Sequence, residues 1–261
     1  MLSTQLLTYY RNLSQQMFTV VDLETTGRHA WQHRVMEVSV LQATLAEGVL
    51  IQQTDLINPL TQIPLRLAHF TGIKQPMVDA APPAAEVLPP YLPLLSRGVL
   101  TAHNLEFDYP FLQAEFDRLG IQFVRPETEQ LCTVKLARLM LPDLPSRKLP
   151  HLVRHFQFDV GRSHRAEADT LACWMLAERL FTELLNEEDD VLLARFARQV
   201  IPLKEAAKLL NCAPEEAQVK LETAGASTRF VGRKRDGTWV YRRGEVEQLV
   251  LEQVSYTSSQ F

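Results

Sequence analysis

The sequence contains few cysteines and no long apolar run. Its three cysteines, at positions 132, 173 and 212, lie far apart and form no paired spacing. This distribution argues against a zinc site or a disulfide framework and favours buried thiols in a reducing compartment. No apolar run approaches the roughly 18 residues of a membrane-spanning helix, and no charged-then-apolar leader is present. We therefore expect a soluble, cytoplasmic protein with no membrane partner.

A strong net charge is also absent, since the whole chain of 261 residues carries a formal charge of -4. Charge is nevertheless distributed unevenly. Residues 229–243 contain six basic residues and one acid, Asp236, which concentrates positive charge near the C-terminus. With 46% hydrophobic residues, the chain can bury the core of one large domain or two smaller ones.

The first two thirds of the chain alternate between short apolar runs and helical patterns. A leading helix is predicted within residues 1–16. Strands are predicted at 18–23, 34–44, 50–57, 99–102 and 121–124. Helices are predicted at 63–72, 80–95 (interrupted by proline), from about 108 to 119, and at 131–141, 149–156 and 165–185. Tight connections between the first three strands indicate an antiparallel meander, and the later alternation indicates an α/β domain with a mixed sheet over residues 17–185.

The pattern changes at the acidic segment 186–190, which we take as a domain boundary. Helices are predicted at 202–211 and 214–223, a hairpin at 230–241 and a last helix at 244–254. Asp236-Gly237 is typical of a type I′ turn. Two short helices followed by a basic hairpin predict a small winged helix-turn-helix domain over residues 186–261.

Two acids stand at the end of the first strand, in the segment Asp22-Leu-Glu24-Thr-Thr-Gly27. Side chains alternate along a strand, so Asp22 and Glu24 point to the same side of the sheet. Two neighbouring carboxylates in a buried setting repel each other and are costly to desolvate. A divalent cation would relieve both costs, so this segment predicts half of a metal site.

Two further acids occupy inward-facing helix positions. Asp108 shares a helix face with Leu112 and Phe116, and Asp169 begins an apolar stripe in the first turn of its helix. His164 precedes Asp169 by five residues, in the loop that enters the same helix.

Four carboxylates suit two hard cations with oxygen ligands, Mg²⁺ or Mn²⁺. Two such ions about 3.5–4 Å apart can stabilise the attacking and leaving oxygens of a phosphoryl displacement. Histidine has an ordinary pKa of about 6.5, and His164 can therefore accept a proton near neutral pH.

Three segments carry a resemblance to a known family: Asp22-Leu-Glu24-Thr-Thr-Gly27, His103-Asn-Leu-Glu-Phe-Asp108 and His164-Arg-Ala-Glu-Ala-Asp169. In order, spacing and context they resemble the three motifs of the DEDDh 3′–5′ exonucleases, particularly the branch of the proofreading ε subunits. The resemblance implies an RNase H-like fold with a five-stranded mixed sheet and flanking helices. It also implies two metals bound by Asp22, Glu24, Asp108 and Asp169, with His164 as general base. A pocket for the terminal nucleotide is implied at Leu23, Thr25, Thr26, His103, Asn104 and Phe107.

The last 60 or so residues resemble excisionase-like winged helix-turn-helix modules more loosely. The presumed recognition helix, which opens at Pro214, is more acidic than basic, and phosphates would repel it. The hairpin is the better candidate for contact with DNA, through Arg233, Lys234, Arg235, Trp239, Arg242 and Arg243.

These features predict a metal-dependent 3′–5′ exodeoxyribonuclease that releases nucleoside 5′-monophosphates from single-stranded or frayed DNA ends in proofreading or repair. RNA 3′ ends are an alternative substrate, because nothing in the three motifs distinguishes a 2′-hydroxyl. A second alternative is a non-enzymatic winged-helix regulator. The C-terminal module could instead contact a DNA polymerase subunit or another protein.

Overall fold

The larger part of the chain is built around a five-stranded mixed sheet. The computed structural model describes residues 1–161, 164–233 and 237–258. The strands follow one another along the chain as β1 (Phe18–Thr25), β2 (Val35–Thr44), β3 (Gly48–Leu56), β4 (Val99–Ala102) and β5 (Gln130–Cys132). They lie in the order β3-β2-β1-β4-β5. The first three pair antiparallel, whereas β4 and β5 run parallel to β1, which confirms the predicted meander and mixed sheet.

Strand β1 occupies the centre of this sheet. Its first four residues are buried, as expected for a short run rich in β-branched residues with neighbours on both edges. Phe18 packs against Trp174 and Phe181, with ring centroids 5.7 and 5.2 Å apart. This packing fixes the strand, and the strand in turn determines where Asp22 and Glu24 emerge at its end.

Nine helices precede the predicted boundary among the described residues. They are α1 (Ser3–Leu13), α2 (Leu65–Thr71), α3 (Gln75–Asp79), α4 (Ala84–Val87), α5 (Leu92–Leu95), α6 (Leu105–Arg118), α7 (Thr133–Met140), α8 (Leu149–Phe156) and α9 (Ala166–Asn186). Gly72 ends α2 with a φ of 78°, the left-handed conformation predicted for it. The segment predicted as a proline-interrupted helix is divided into α4, a 3₁₀ turn and α5.

Residues 121–124 form no strand, so the predicted position of the fifth strand is wrong. Phe123 turns instead towards the core, where its ring lies 5.2 Å from that of Phe116 on α6, while Val124 is 63% exposed. The apolar residues after α6 therefore pack against that helix. The fifth strand forms later, at β5, and the helix predicted from residue 131 begins at Thr133.

A second compact unit combines Met1–Arg11, Ala137–Pro145 and the chain from Leu184 onward. Its further elements are α10 (Asp189–Ala197), β6 (Val200–Pro202), α11 (Leu203–Leu209), α12 (Pro214–Thr223), β7 (Thr228–Val231), β8 (Thr238–Arg242) and α13 (Arg243–Ser258). Its three strands lie in the order β6-β8-β7. Helix α10 and strand β6 were not predicted, and the type I′ turn predicted at Asp236-Gly237 includes Asp236, which lies outside the described residues.

Arg243 does not belong to the exposed basic surface on which it was predicted. Its side chain is 4% exposed and donates to Glu205 at 2.9 Å and to Glu247 at 3.2 Å. It also donates to the carbonyl of Met1 at 3.1 Å. A guanidinium held in this way is not available to a phosphate. Lys234 and Arg235, predicted beside it, lie outside the described residues.

None of the helices in the described ranges is both long and apolar enough to cross a lipid bilayer.

Glu115 on α6 links the helix to the start of β2, although it is an acid that is only 1% exposed. Its carboxylate accepts hydrogen bonds from the Arg34 Nε at 2.8 Å and from the Val35 backbone at 3.2 Å. Arg118 Nη1 lies 3.1 Å from the same carboxylate. The buried charge is therefore compensated by two cations and a backbone donor.

Replacing Glu115 with alanine should lower the free energy of unfolding by about 2–3 kcal/mol, because two arginines and an amide lose their acceptor. This loss of stability should be smaller than the loss on breaking a fully buried ion pair, because both arginines are partly exposed. Urea unfolding followed by tryptophan fluorescence measures it. Glu127→Ala, at an exposed position, is the control and should change stability by less than about 0.5 kcal/mol. Equal midpoints for the two variants would contradict the assigned role of Glu115.

Candidate active site

Asp22 and Glu24 lie at the end of β1, on one side of the sheet. One carboxylate oxygen from each, together with one from Asp169, forms a group in which all three atoms lie within 4.8 Å of one another. The irregular pairing of β1 and β2 between Glu24 and Thr25 ends the regular ladder at this point. The structure thus brings together three of the four acids that the sequence predicted to converge.

Asp108 reaches the same strand from the first turn of α6. Its side chain is 3% exposed, and Oδ1 accepts a hydrogen bond from the backbone N–H of Leu23 at 3.2 Å. Because Leu23 lies between Asp22 and Glu24, this bond places the fourth acid beside the other two. Pro110 is the sixth residue of α6 and lies inside the helix, where it donates no backbone hydrogen bond.

Asp169 lies in the first turn of α9, where the helix dipole favours an anion. Its Oδ2 accepts a hydrogen bond from the backbone N–H of His164 at 2.9 Å. His164 has a φ of 65°, a conformation that a non-glycine residue adopts rarely. The acid therefore helps hold the histidine loop in an uncommon backbone conformation next to the acidic cluster.

Burial raises the pKa of every acid in the cluster, and neighbouring acids add repulsion at Asp22 and Glu24. Loss of solvation is the largest cause, and it raises the pKa of Glu24 to about 8 and that of Asp108 to about 8. The same cause raises the pKa of Asp22 well above its ordinary value, with Asp108, Asp169 and Glu24 adding repulsion. The pKa of Asp169 is raised as well, again chiefly by burial. Ionised carboxylates at this density need a compensating positive charge.

Glu37 and Arg165 border the cluster and were not singled out from the sequence. Glu37, on β2 opposite Glu24, is 1% exposed and accepts from Arg165 Nη2 at 2.5 Å and from the Ala166 backbone at 2.9 Å. This pair ties the start of α9 to the sheet and so positions Asp169. In the sequence, Glu37 could have been recognised only as a lone acid within the apolar run of β2.

Phe70 is a second residue that sequence reasoning missed. It lies on α2 and is 55% exposed, and its ring packs against that of His164, with centroids 3.8 Å apart and the ring planes tilted by 32°. An aromatic face in this position restricts the orientation of the imidazole. The only signal in the sequence was the position of Phe70 two residues before Gly72. The contact with His164 could not be predicted, because it joins segments that are far apart in the chain.

The residues predicted to line a nucleotide pocket have different surroundings. Leu23, Thr25 and Thr26 are largely buried along the end of β1, and the hydroxyl of Thr25 donates to the carbonyl of Gly27 at 2.6 Å. Asn104 is exposed with a φ of 84° and precedes the first turn of α6. Phe107 is half-buried and lies 5.1 Å from the ring of Phe111.

His103 is held by its two ring nitrogens, which lie 2.9 Å from the hydroxyl of Thr133 and 2.9 Å from the carbonyl of Arg147. Burial lowers its pKa to about 4, so the ring is neutral at physiological pH. Through these contacts His103 connects the end of β4 to the segment that precedes α8.

Residues 19–176 match the Exonuclease (RNase_T) family, a span of more than half of the chain. The chain belongs to this family. The exonuclease is 32% identical over 179 residues to the DNA polymerase III subunit epsilon of Aquifex aeolicus, which covers 67% of the chain and 84% of that protein. All three motif segments fall inside the matched span.

Other relatives of the exonuclease are much longer. It is 32% identical over 179 residues to the PolC-type DNA polymerase III of Oceanobacillus iheyensis, of which it covers only 12%. It is 30% identical over 177 residues to the 3′-5′ exonuclease DinG of Bacillus subtilis, of which it covers 18%. The chain therefore corresponds to only a small part of the length of these two relatives.

The solved nuclease domain of 3′hExo, a DEDDh family member, has the same fold. The two superpose with a TM-score of 0.53 at 17% identity, over 64% of this chain and 92% of that one. The five-stranded mixed sheet with flanking helices is therefore the RNase H-like exonuclease fold that the motifs implied.

The acidic cluster of the exonuclease fits a divalent cation. Its donors are all carboxylate oxygens, and three of them already converge within 4.8 Å of one another. Hard cations prefer this donor set, and their charge offsets both the loss of solvation and the repulsion that raise the carboxyl pKa values.

Without divalent cations, the exonuclease should lose stability as the pH rises. The raised folded-state pKa values mean that the folded protein binds more protons than the unfolded chain between about pH 4 and 8. The associated stability is complete below the unfolded pKa near 4 and is lost as the pH rises through about 8. Thermal unfolding in EDTA across this range measures the slope.

Glu24→Gln should reduce that slope, and Glu127→Gln should leave it unchanged. Addition of a divalent cation at pH 8 should raise the unfolding midpoint of the wild type more than that of Glu24→Gln. The predicted linkage would be contradicted if the thermal unfolding midpoint of the wild type stayed level between pH 5 and 8, or rose relative to that of Glu24→Gln.

Proposed function

We propose that the chain removes nucleotides from the 3′ end of DNA and releases nucleoside 5′-monophosphates. The observation that carries this proposal is the convergence of Asp22, Glu24 and Asp169 beside Asp108, within a chain of the exonuclease family. DNA is favoured over RNA because the relatives that support the assignment are named as DNA polymerase III proteins.

In the proposed mechanism, Asp22, Glu24, Asp108 and Asp169 hold two divalent cations, Mg²⁺ or Mn²⁺. When bound, such ions supply Lewis acidity that activates water and stabilises negative charge on a leaving oxygen. The water oxygen attacks the last phosphodiester phosphorus, the bond to the upstream 3′-oxygen breaks, and the released nucleotide keeps a 5′-phosphate. His164 accepts the proton of the attacking water.

Several neighbouring contacts support this assignment of His164. The Phe70 ring and the bond from the His164 backbone to Asp169 limit the positions that the imidazole can adopt. Glu37 and Arg165 position the helix that carries Asp169 and act through it rather than on the substrate. His103 is a poor candidate for the base, because both of its ring nitrogens are engaged and burial lowers its pKa to about 4.

Asp22→Asn and Asp169→Asn should each abolish nucleotide release, because each removes an ionised oxygen ligand. His164→Ala should lower kcat by about 10²–10⁴-fold, as expected for loss of a general base. The measurement is digestion of a labelled single-stranded DNA oligomer with Mg²⁺ or Mn²⁺, with products resolved as mononucleotides. Full activity of any of these variants would contradict the proposed mechanism.

The same digestion, run on matched DNA and RNA oligomers with paired, mismatched and single-stranded 3′ ends, tests the substrate. Faster release from DNA supports the proposal, and faster release from RNA would replace it with an exoribonuclease. His155→Ala is a suitable control, because this exposed histidine of α8 lies outside the cluster and should leave the rate unchanged.

We also propose that the C-terminal unit is a winged helix-turn-helix module whose hairpin contacts DNA. Helices α11 and α12 pack on each other through a core that includes Ala207, Leu210, Ala217 and Leu221. Strands β7 and β8 place exposed Arg229 and Arg242 on the hairpin, and Arg233 follows β7. The exposed rings of Phe230 and Trp239 pack edge to face at paired positions of the same two strands. The hairpin thus combines cations with exposed aromatic rings, a composition suited to nucleic acid.

Arg233→Glu combined with Arg242→Glu should weaken duplex binding by the full chain. The salt dependence should become shallower by about one unit for each phosphate that the variant no longer neutralises. Fluorescence anisotropy at several salt concentrations measures both quantities. Lys208→Glu, an exposed reversal on α11, is the charge control. Unchanged affinity and slope in the double variant would favour the alternative that the module contacts a protein.

A further inference from the structure

A loop that follows the first acidic motif presents a large aromatic residue to solvent. Trp31 is 65% exposed, whereas its neighbour Ala30 is only 8% exposed and belongs to the core. A single exposed apolar residue is common on a protein surface, but Trp31 also lines a cavity together with other aromatic residues. Its role is not explained by the acidic cluster or by the core.

The loop is held in place at several points, so the position of Trp31 is determined. Its ends are joined by the Thr26 backbone N–H to the Arg34 carbonyl at 2.9 Å and by the Arg34 N–H to the Thr26 hydroxyl at 3.0 Å. Arg118 of α6 donates to the carbonyl of Ala30 at 2.9 Å. Gly27 leaves room for the His33 ring, since a Cβ there would lie 2.0 Å from it. A loop fixed in this way can present an aromatic side chain without a large ordering cost on binding.

Between this loop and α6 lies a cavity of about 390 Å³. Its lining combines a cation, Arg28, with the aromatic residues His29, Trp31, Phe107 and Phe111. The volume lies within the range of small-molecule sites, about 300–1,000 Å³. Aromatic faces interleaved with a cation are typical of single-stranded nucleic acid sites, because every base has a face that can stack.

The cavity lies beside the proposed active site, because Glu106, Phe107, Pro110 and Phe111 line it from the same stretch of α6 that carries Asp108. Glu106 would repel a phosphate there, and its carboxylate lies 2.8 Å from the Lys135 ammonium. The aromatic lining therefore suits a base more than a phosphate. Phe107 is also one of the residues that the motif resemblance assigns to the terminal nucleotide pocket, and on that assignment the base held here is the neighbour of the terminal one.

We infer that this cavity is a second nucleobase subsite, in which Trp31 stacks on the penultimate base of a single-stranded 3′ end. The inference rests on the proposed nuclease function and deepens it. A base-paired end cannot place its penultimate base in the cavity without unpairing. Trp31 thereby favours frayed or single-stranded ends over blunt duplexes.

The test combines a Trp31 variant with an abasic scan. The full chain in EDTA is titrated with labelled oligothymidylate that carries one abasic residue at the terminal, second, third or fourth position from the 3′ end. The wild type should bind the second-position abasic strand roughly 5- to 100-fold more weakly than the intact strand, the range of one stacked base. Trp31→Ala should weaken binding of the intact strand by a similar factor and should no longer discriminate at that position.

Trp31→Phe should retain discrimination, because a smaller ring still stacks. Leu60→Ala, at a loop residue that is 71% exposed, is the matched control and should bind as the wild type does. Because Trp31 is exposed, its variants should unfold at the wild-type temperature, which is checked by thermal unfolding.

Wild-type binding by Trp31→Ala would overturn the inference, as would an undiminished second-position penalty in that variant or discrimination at the terminal position alone. None of these outcomes bears on nucleotide release. Failure of the wild type to release nucleotides from the same strand with Mg²⁺ or Mn²⁺ would instead overturn the proposed function. If that protein also failed to bind the strand in EDTA, the subsite would be overturned with it.

Discussion

The structure depends on the concentration of negative charge at the end of the central strand. Asp108 and Asp169 lie close enough to raise the pKa values of Asp22 and Glu24 beyond the effect of burial, and Glu37 adds a fifth acid beside them. Among the described side chains, Arg165 opposes this charge directly, through its pair with Glu37. A folded chain tolerates such repulsion only because its hydrophobic packing is strong, and this requirement explains the buried surroundings of β1.

Two ionic contacts place the parts of the site, and each fixes a different element. Glu37 and Arg165 join the start of α9 to β2, which positions Asp169. Glu115 joins α6 to the start of β2 through Arg34 and Val35, which holds the helix that carries Asp108. The same carboxylate contacts Arg118, which holds the loop that presents Trp31. The acidic site and the proposed base subsite therefore share one supporting framework.

Much of the fold follows from local pattern, and the exceptions have specific causes. Four strands of the five-stranded sheet and most helices were predicted because their apolar residues repeat with the period of the element that they form. The fifth strand was misplaced because Phe123 has an apolar side chain that packs on α6, and periodicity cannot distinguish this use from a strand. Arg243 was assigned to an exposed surface because its burial depends on Glu205 and on the carbonyl of Met1, which are distant in sequence.

The convergence of the four acids could be predicted from the order of the amino acids alone. The spacing of Asp22 and Glu24, the helix face of Asp108 and the place of Asp169 in its first turn are local properties, which backbone geometry converts directly into orientation. The residues that support these acids became evident only in the folded chain. Phe70 against His164, Glu37 against Arg165, and the cavity between Trp31 and α6 each join segments that are far apart in the chain. Such contacts arise from the packing of the whole core and leave no periodic trace in the sequence.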